Sequence, residues 1–192
     1  MKKSRKRVEQ ARNLSSSDLR QCLPQQLNLA LSYDCRLELN HAKELSDGDK
    51  EEIVRLFESN MKSFYEQSND GYNADEKRTE LFDTESRYLL LRSANDLLAF
   101  AHFRFDMDDG SRVLYLYELQ VDAGHQGHGL GQCTVEQLKV LCAKTGMSKI
   151  VLTVFKANAK AVDFYRRKCH FHIDTTDPGD EQADYVILSF AV

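Results

Sequence analysis

The sequence predicts an α/β fold, with a mixed central sheet and helices on both faces. Three observations predict it. An apolar stripe at helical spacing lies between residues 48 and 66. Three β-type runs come next in close succession, the last two separated by a turn signal. From residue 113 onward the pattern alternates strand, helix, strand, helix, strand. A short turn joins antiparallel strands, whereas a strand–helix–strand passage is a parallel crossover, so the sheet has to be mixed. At 192 residues the chain fits one domain and can bury a core without disulfides or metals.

Residues 1–35 read as a basic N-terminal extension with a short helix, and 36–192 as the main domain. The extension opens with Lys2, Lys3, Arg5, Lys6, Arg7 and Arg12 against Glu9 alone. That pattern fits either a patch for an anionic surface or nuclear import, or a solvated, mobile terminus. The first helix, 48–66, is capped by Ser46 or Asp47 and presents Ile53, Leu56, Phe57, Met61, Phe64 and Tyr65 on one stripe. A short helix is expected over 75–81. Strands are expected over 88–92, 97–105 and 113–121, with Asp106-Met107-Asp108-Asp109-Gly110 as the turn before the third. A helix is expected over 130–144, stopped by Gly146. Then come a buried strand over 149–155, a helix over 158–168 with Ala161, Val162 and Tyr165 on one side, and a strand over 185–190. Pro24 and Pro178 both fall outside these elements.

Composition narrows the function classes. A net charge of −4 argues against nucleic acid as the main partner and suits a basic substrate. The five cysteines, Cys22, Cys35, Cys133, Cys142 and Cys169, form no Cys-x-x-Cys pair and are odd in number. They point to a reducing compartment and away from a zinc ribbon. His170 and His172 have no further ligands nearby in sequence and read as alternate positions on a strand, so no metal is expected. No signal peptide is visible and no apolar run has transmembrane length, so a soluble intracellular protein without a membrane partner is expected.

The chemistry-bearing segment is Gly124-His125-Gln126-Gly127-His128-Gly129-Leu130-Gly131, between a strand and a helix. Backbone N–H groups at a helix N-terminus are unpaired and carry partial positive charge, so anions bind there, and glycine lets a pyrophosphate approach. A Walker A loop ends in Gly-Lys-Ser/Thr, but Gly131 is followed by Gln132 and Cys133. A Rossmann loop has a different glycine spacing and opens an early βαβ unit, whereas this loop comes after a hairpin.

Gln126-Gly127-His128-Gly129-Leu130-Gly131 resembles the acetyl-CoA signature of the GNAT superfamily, Gln/Arg-x-x-Gly-x-Gly/Ala. The order around it agrees: a strand carrying Glu118 precedes it, and a strand followed by Asn158-x-x-Ala161-x-x-x-Tyr165 comes after. The resemblance implies a GNAT fold in which a splayed parallel strand pair admits acetyl-CoA as co-substrate. It also implies that Leu119, Gln120 and Val121 offer backbone groups to the pantetheine, as in strand addition. The loop residues Gln126, Gly127, His128, Gly129, Leu130, Gly131 and Gln132 would cradle the pyrophosphate, and Asn158 would contact the cofactor.

Longer segments are similar to the NatD-type N-alpha-acetyltransferases. They are Phe64-Tyr65-Glu66-Gln67-Ser68, Ala101-His102-Phe103-Arg104-Phe105-Asp106, Leu114-Tyr115-Leu116-Tyr117-Glu118-Leu119-Gln120 and Leu152-Thr153-Val154-Phe155-Lys156-Ala157-Asn158. This resemblance spans roughly residues 45–190. It implies a monomer of cytoplasm and nucleus that acetylates the α-amine of histone tails beginning Ser-Gly-Arg-Gly, in histones four and two-A, with no direct nucleic-acid contact. The basic N-terminus would supply any contact with ribosome or chromatin. By the same resemblance Glu118 and Tyr117 are catalytic. Tyr65, Tyr115, Tyr117, Thr153 and Tyr185 would surround the first substrate residues, and Asp106 and Asp108 would meet the substrate arginine.

Chemistry is consistent with these roles. An α-amine, with an ordinary pKa of about 7.7–8.0, is partly neutral at physiological pH and needs only a weak base. Read from residue types alone, Glu118 is equally a strand carboxylate paired with a basic neighbour, and the aspartates are equally a polar hairpin turn. Tyr165 stands where many GNAT enzymes carry a proton donor for the leaving thiolate, and its role is left open. One segment departs from the relatives: where they carry an aromatic-rich loop, this chain has Asn69-Asp70-Gly71-Tyr72. Two other readings fit the same residues: a GNAT enzyme for lysine side chains or small amines, and a non-catalytic acetyl-CoA-binding adaptor.

Overall fold

The computed structural model describes residues 2–24, 35–94 and 96–192. In chain order its helices and strands are α1 (Lys2–Arg12), α2 (Ser16–Gln21), β1 (Arg36–His41), α3 (Asp47–Glu66), α4 (Ala74–Leu81), β2 (Arg87–Ser93), β3 (Asp96–Asp108), β4 (Ser111–Val121), α5 (Leu130–Thr145), β5 (Lys149–Phe155), α6 (Ala159–Asp163), β6 (His172–Ile173) and β7 (Tyr185–Ala191). Among the described residues the strands form one sheet in the order β1-β2-β3-β4-β5-β7-β6. Of these described strands only β4 and β5 pair in parallel, and α5 makes the crossover between them. The predicted mixed sheet and its crossover are therefore both present.

Both faces of the sheet are buried, which is why β2 reads as an unbroken apolar run rather than an alternating one. Leu89 and Leu91 point into a core shared with α1, α2 and α5, through Val8, Ala11, Leu19, Leu138 and Leu141. Tyr88 and Leu90 point the other way, onto Ile53, Leu56 and Phe57 of α3 and Leu81 of α4. Of the two caps the sequence offers, Ser46 is the one that caps α3, in a capping box with Asp49.

Several elements differ from expectation. The N-terminal residues are not a solvated tail: Val8, Ala11, Leu19 and Leu23 are buried in the main core. Ser15 and Asp18 form a capping box that starts α2. β3 runs to Asp108, so the turn shrinks to Asp109-Gly110, both at positive φ (41° and 76°), a two-residue hairpin turn. β3 outgrows β2, whose pairing ends at Arg87 opposite Phe103. The carbonyl of Phe105 beyond that point accepts a hydrogen bond from Arg12 Nε at 2.8 Å. The predicted helix over 158–168 is α6 followed by a π-helical turn, Phe164–Lys168. β1 and β6 were not legible in the sequence. His172 opens β6, but His170, at φ 61°, is not on a strand.

Two irregularities of β4 shape its C-terminal half. His102 pairs with Glu118 and Phe103 with Leu116, so Tyr117 is an extra residue, a β-bulge. A strand reverses its inward face at such a point. Leu114 and Leu116 pack toward α5, whereas Glu118 turns to the α3–α4 side. In addition, β4 pairs with β5 only from Val113–Lys149 to Leu116–Leu152, while β5 continues to Phe155 against β7. Beyond Leu116 and Leu152 the two strands part.

Because Leu19 is fully buried, Leu19→Ala is expected to destabilise the protein by about 2–5 kcal/mol in a denaturant titration. A change within about 0.5 kcal/mol, the usual effect at a surface position, would show that α2 does not belong to the core.

Candidate active site

A cleft of about 250 Å³ occupies the fork between β4 and β5. Its walls are residues 115–120 of β4 and 152–155 of β5. Met61 and Tyr65 of α3, Lys77 and Glu80 of α4, and Asn158, Ala161 and Tyr165 close it. Past Leu116 no described strand pairs with the edge of β4 that faces β5, so its backbone groups before Val121 are available to an extended ligand.

Glu118 lies at this fork, 5% exposed. Lys77 Nζ is 2.6 Å from its Oε1. Gln120 Nε2 donates to its Oε2 at 2.7 Å, and Gln120 Oε1 in turn accepts from Asn60 Nδ2 at 3.0 Å. The Tyr65 hydroxyl sits 3.4 Å from Oε1 and accepts from Lys77 Nζ at 2.9 Å. Burial pushes the Glu118 carboxyl above the ordinary carboxylate range, against the opposing pull of Lys77 and Gln120. Burial alone would lower Lys77, but Glu118, Tyr65 and Glu80 outweigh it and hold the ammonium charged. Burial and the Glu118 charge keep the Tyr65 phenol protonated.

The bulged Tyr117 stacks on His102, ring centroids 5.0 Å apart, and the Arg104 guanidinium covers its ring at 4.5 Å. His102 is fully buried between Tyr117 and Tyr88, with Nε2 2.8 Å from Ser86 Oγ. Burial and the nearby Arg104 push its pKa well down, so the ring is neutral. Tyr115 crosses the mouth of the fork to Thr153, with 2.8 Å between hydroxyls. The Tyr65 ring meets Phe155 edge-on at 5.0 Å. Tyr165 lines the cleft as a buried phenol whose ionisation is pushed up by that burial.

The glycine loop is built as its sequence predicts. Gly127 and Gly129 adopt φ of 80° and 86°, in open space, so glycine serves the backbone angle there. Gly129 is the N-cap of α5 and gives no side-chain hydrogen bond, which leaves the first-turn N–H groups open to an anion. Gly131 has a different reason: a Cβ there would lie 3.3 Å from the Phe164 ring and 3.6 Å from Val121. Gln132 Nε2 reaches the Lys168 carbonyl at 3.4 Å. Gln126 bonds back to the Val121 carbonyl at 3.2 Å, which Asn60 also holds at 3.0 Å. Asn158 Oδ1 accepts from Ala161 N at 3.2 Å and caps α6. These features fit acetyl-CoA: an uncapped helix start for its pyrophosphate and an open strand edge in the fork for its pantetheine.

Of the residues singled out from the sequence, Tyr65, Tyr115, Tyr117, Glu118, Leu119, Gln120, Thr153 and Asn158 line the fork. Residues 126–132 form the loop at the start of α5. Asp106, Asp108 and Tyr185 lie outside the fork lining. Asp106, near the far end of β3, bonds Arg12 Nη2 at 2.8 Å. Tyr185 begins β7 opposite Phe155. Tyr72, in the divergent loop, donates to Glu58 at 2.7 Å, with its ring 6.3 Å from Tyr65. Sequence reasoning missed Lys77, Asn60 and the side-chain role of Gln120. Lysine is rarely buried unless paired, and nothing local marks a pairing with a strand that comes much later in the chain.

None of the cysteines lines the cleft. Burial raises Cys133 to about 11 and both Cys142 and Cys169 to about 12, so these thiols are not nucleophiles at neutral pH. Among the described residues, no cluster of three or more histidine, cysteine or carboxylate side chains is arranged to hold a metal ion.

Solved structures share this architecture. Naa50 of Arabidopsis thaliana, in complex with the bisubstrate analogue CoA-Ac-MVNAL, matches with a TM-score of 0.57 at 20% identity, over 81% of this chain and 99% of that one. The PaiA N-acetyltransferase of Thermoplasma acidophilum, in complex with coenzyme A, matches at 0.58 and 16%, over 82% and 99%. A ribosomal-protein-alanine N-acetyltransferase of Escherichia coli matches at 0.56 and 17%, over 82% and 94%. The model of the acetyltransferase (GNAT) family matches residues 53–171, more than half of the sequence, which include β2 to β5 and the residues that line the fork. With the fork, the uncapped glycine loop and this match together, the chain belongs to the GNAT family and is an acetyl-CoA-dependent acetyltransferase.

Proposed function

We propose that this enzyme is an Nα-acetyltransferase of the NatD type, acting on histone tails that begin Ser-Gly-Arg-Gly, with Glu118 as general base. The observation that carries the reading is Glu118 itself: a buried carboxylate at the point where β4 and β5 part, with raised proton affinity and a ring of tyrosines around it. Two of the similar structures support an α-amine as acceptor, since one holds a CoA–peptide conjugate and the other is named for acetylating an alanine.

The amine reaches the fork partly neutral, because its ordinary pKa is about 7.7–8.0. Its nitrogen attacks the thioester carbonyl of acetyl-CoA, the C–N bond forms, and Glu118 takes the amine proton. The C–S bond then breaks and coenzyme A leaves as the thiolate, which takes a proton from water; Tyr165 lines the cleft as a phenol that burial keeps protonated. Tyr65, Tyr115 and Thr153 bound the space left for a small first residue such as serine. Asp106 is half-exposed and already shares one oxygen with Arg12, so a substrate arginine would be its second cation. Exposed Lys2, Lys3, Arg5 and Lys6 on α1 support a contact with ribosome or chromatin, and action in both cytoplasm and nucleus.

Transfer from acetyl-CoA to Ser-Gly-Arg-Gly peptides is expected only when the α-amine is free. Acetylation of an α-blocked peptide would favour the lysine reading, and transfer to neither would favour a small amine or an adaptor. Glu118→Gln should lower kcat by about 10²–10⁴-fold while leaving acetyl-CoA affinity unchanged, and unchanged turnover would remove Glu118 from the mechanism. Asp106→Ala should raise the peptide KM roughly tenfold or more, and only for peptides that keep the arginine. An equal rise for an arginine-free peptide would leave Asp106 as the partner of Arg12 alone.

A further inference from the structure

Lys77 is the anomaly of the molecule. It sits on α4, a short and mostly polar helix, yet its side chain is only 7% exposed. All three ammonium protons are engaged, by Glu118 at 2.6 Å, Tyr65 at 2.9 Å and Glu80. The rings of Phe57 and Tyr65 lie 4.7 and 4.8 Å from the nitrogen and complete an aromatic wall around the charge. Ordering a lysine this fully in a core is unfavourable unless the charge is needed there.

We propose that Lys77 is a positioning residue that holds Glu118 ionised and fixes its carboxylate toward the cleft. The inference rests on the reading of Glu118 as the base. A carboxyl buried this deeply without a cation is protonated at neutral pH and accepts nothing. Lys77 supplies that cation on one oxygen, Gln120 orients the other, and a carboxylate has about four lone-pair positions, so room for the amine proton remains.

The other groups facing this pair do not substitute for Lys77. The phenols of Tyr65, Tyr88 and Tyr165 have raised pKa values and stay neutral. His102 is neutral. Arg104 is occupied over the Tyr117 ring and on Ser86 and the Glu80 carbonyl. Glu80 is an anion on the far side of Lys77 and adds to the need for it.

The test removes the charge and the hydrogen bond separately. Lys77→Met and Lys77→Gln should both move the acid limb of the kcat–pH profile, at saturating peptide, up by one unit or more. Turnover at pH 7 would then fall about tenfold and recover toward pH 9. Lys77→Arg, which keeps the charge, should leave the limb in place. Infrared difference spectra at pH 7 of Lys77→Gln against Lys77→Gln/Glu118→Gln should show a protonated carboxylic acid band. The same difference taken in the wild-type background should show ionised carboxylate instead. A loss of turnover equal at every pH, or a carboxylate band in Lys77→Gln, overturns the proposal. If Lys77→Met fails to fold, Lys77→Gln decides. If Glu118→Gln keeps its turnover, the base reading fails, while the infrared comparison still reports whether Lys77 holds the ionisation.

Discussion

A strand in a sheet can satisfy its backbone on both edges only where both neighbours keep its register, and β4 loses one neighbour partway along. Over Val113 to Leu116 it is held by β3 and β5 together; beyond, β3 alone remains among the described strands. The parting comes at the residue before the bulge, so one short stretch both frees a strand edge and reverses the face on which side chains point. Were Tyr117 a regular paired residue instead of a bulge, Glu118 would continue the row of Leu114 and Leu116 into the α5 core. The placing of the Glu118 carboxylate, the open edge and the gap between the strands thus arise from two irregularities that fall side by side, the bulge at Tyr117 and the end of pairing at Leu116.

The polar cluster that results is expensive by itself. Glu118, Lys77, Tyr65, Gln120, Asn60 and Glu80 are drawn from three separate elements, and each satisfies another. Such a network stabilises little relative to an apolar filling, and losing any member leaves a buried group unpaired. Its presence next to a cleft, in a core otherwise filled with leucine and phenylalanine, is most simply explained by chemistry.

Much of the architecture was legible because it is local. Helical spacing in α3, the Asp-Gly turn and the glycine loop before α5 all carry their signals in a few adjacent residues. The fork and its loop were legible through motif resemblance, and Glu118 with its flanking tyrosines through the same route. What stayed hidden depends on distance. β1 pairs with β2 across two intervening helices, and its Arg-Leu-Glu-Leu alternation is too short to stand out. The N-terminal helices carry few apolar residues, and only their docking shows that Val8, Ala11 and Leu19 suffice. Asp106 read as a turn residue or a substrate contact; no pattern announced that Arg12, far earlier in the chain, would hold it. The bulge at Tyr117 left no local mark, since a strand of alternating tyrosine and leucine looks regular.

The first turn of α5 and the π-helical turn after α6 approach so closely that a hydrogen fills the space where any other residue would place a methyl group against Phe164 and Val121. The first of these turns follows the glycine loop, and the second carries Tyr165 of the cleft. A side chain at Gly131 would have to push the Phe164 ring aside by a few tenths of an ångström. The fit between the helix that follows the glycine loop and the turn that carries Tyr165 therefore depends on one absent carbon.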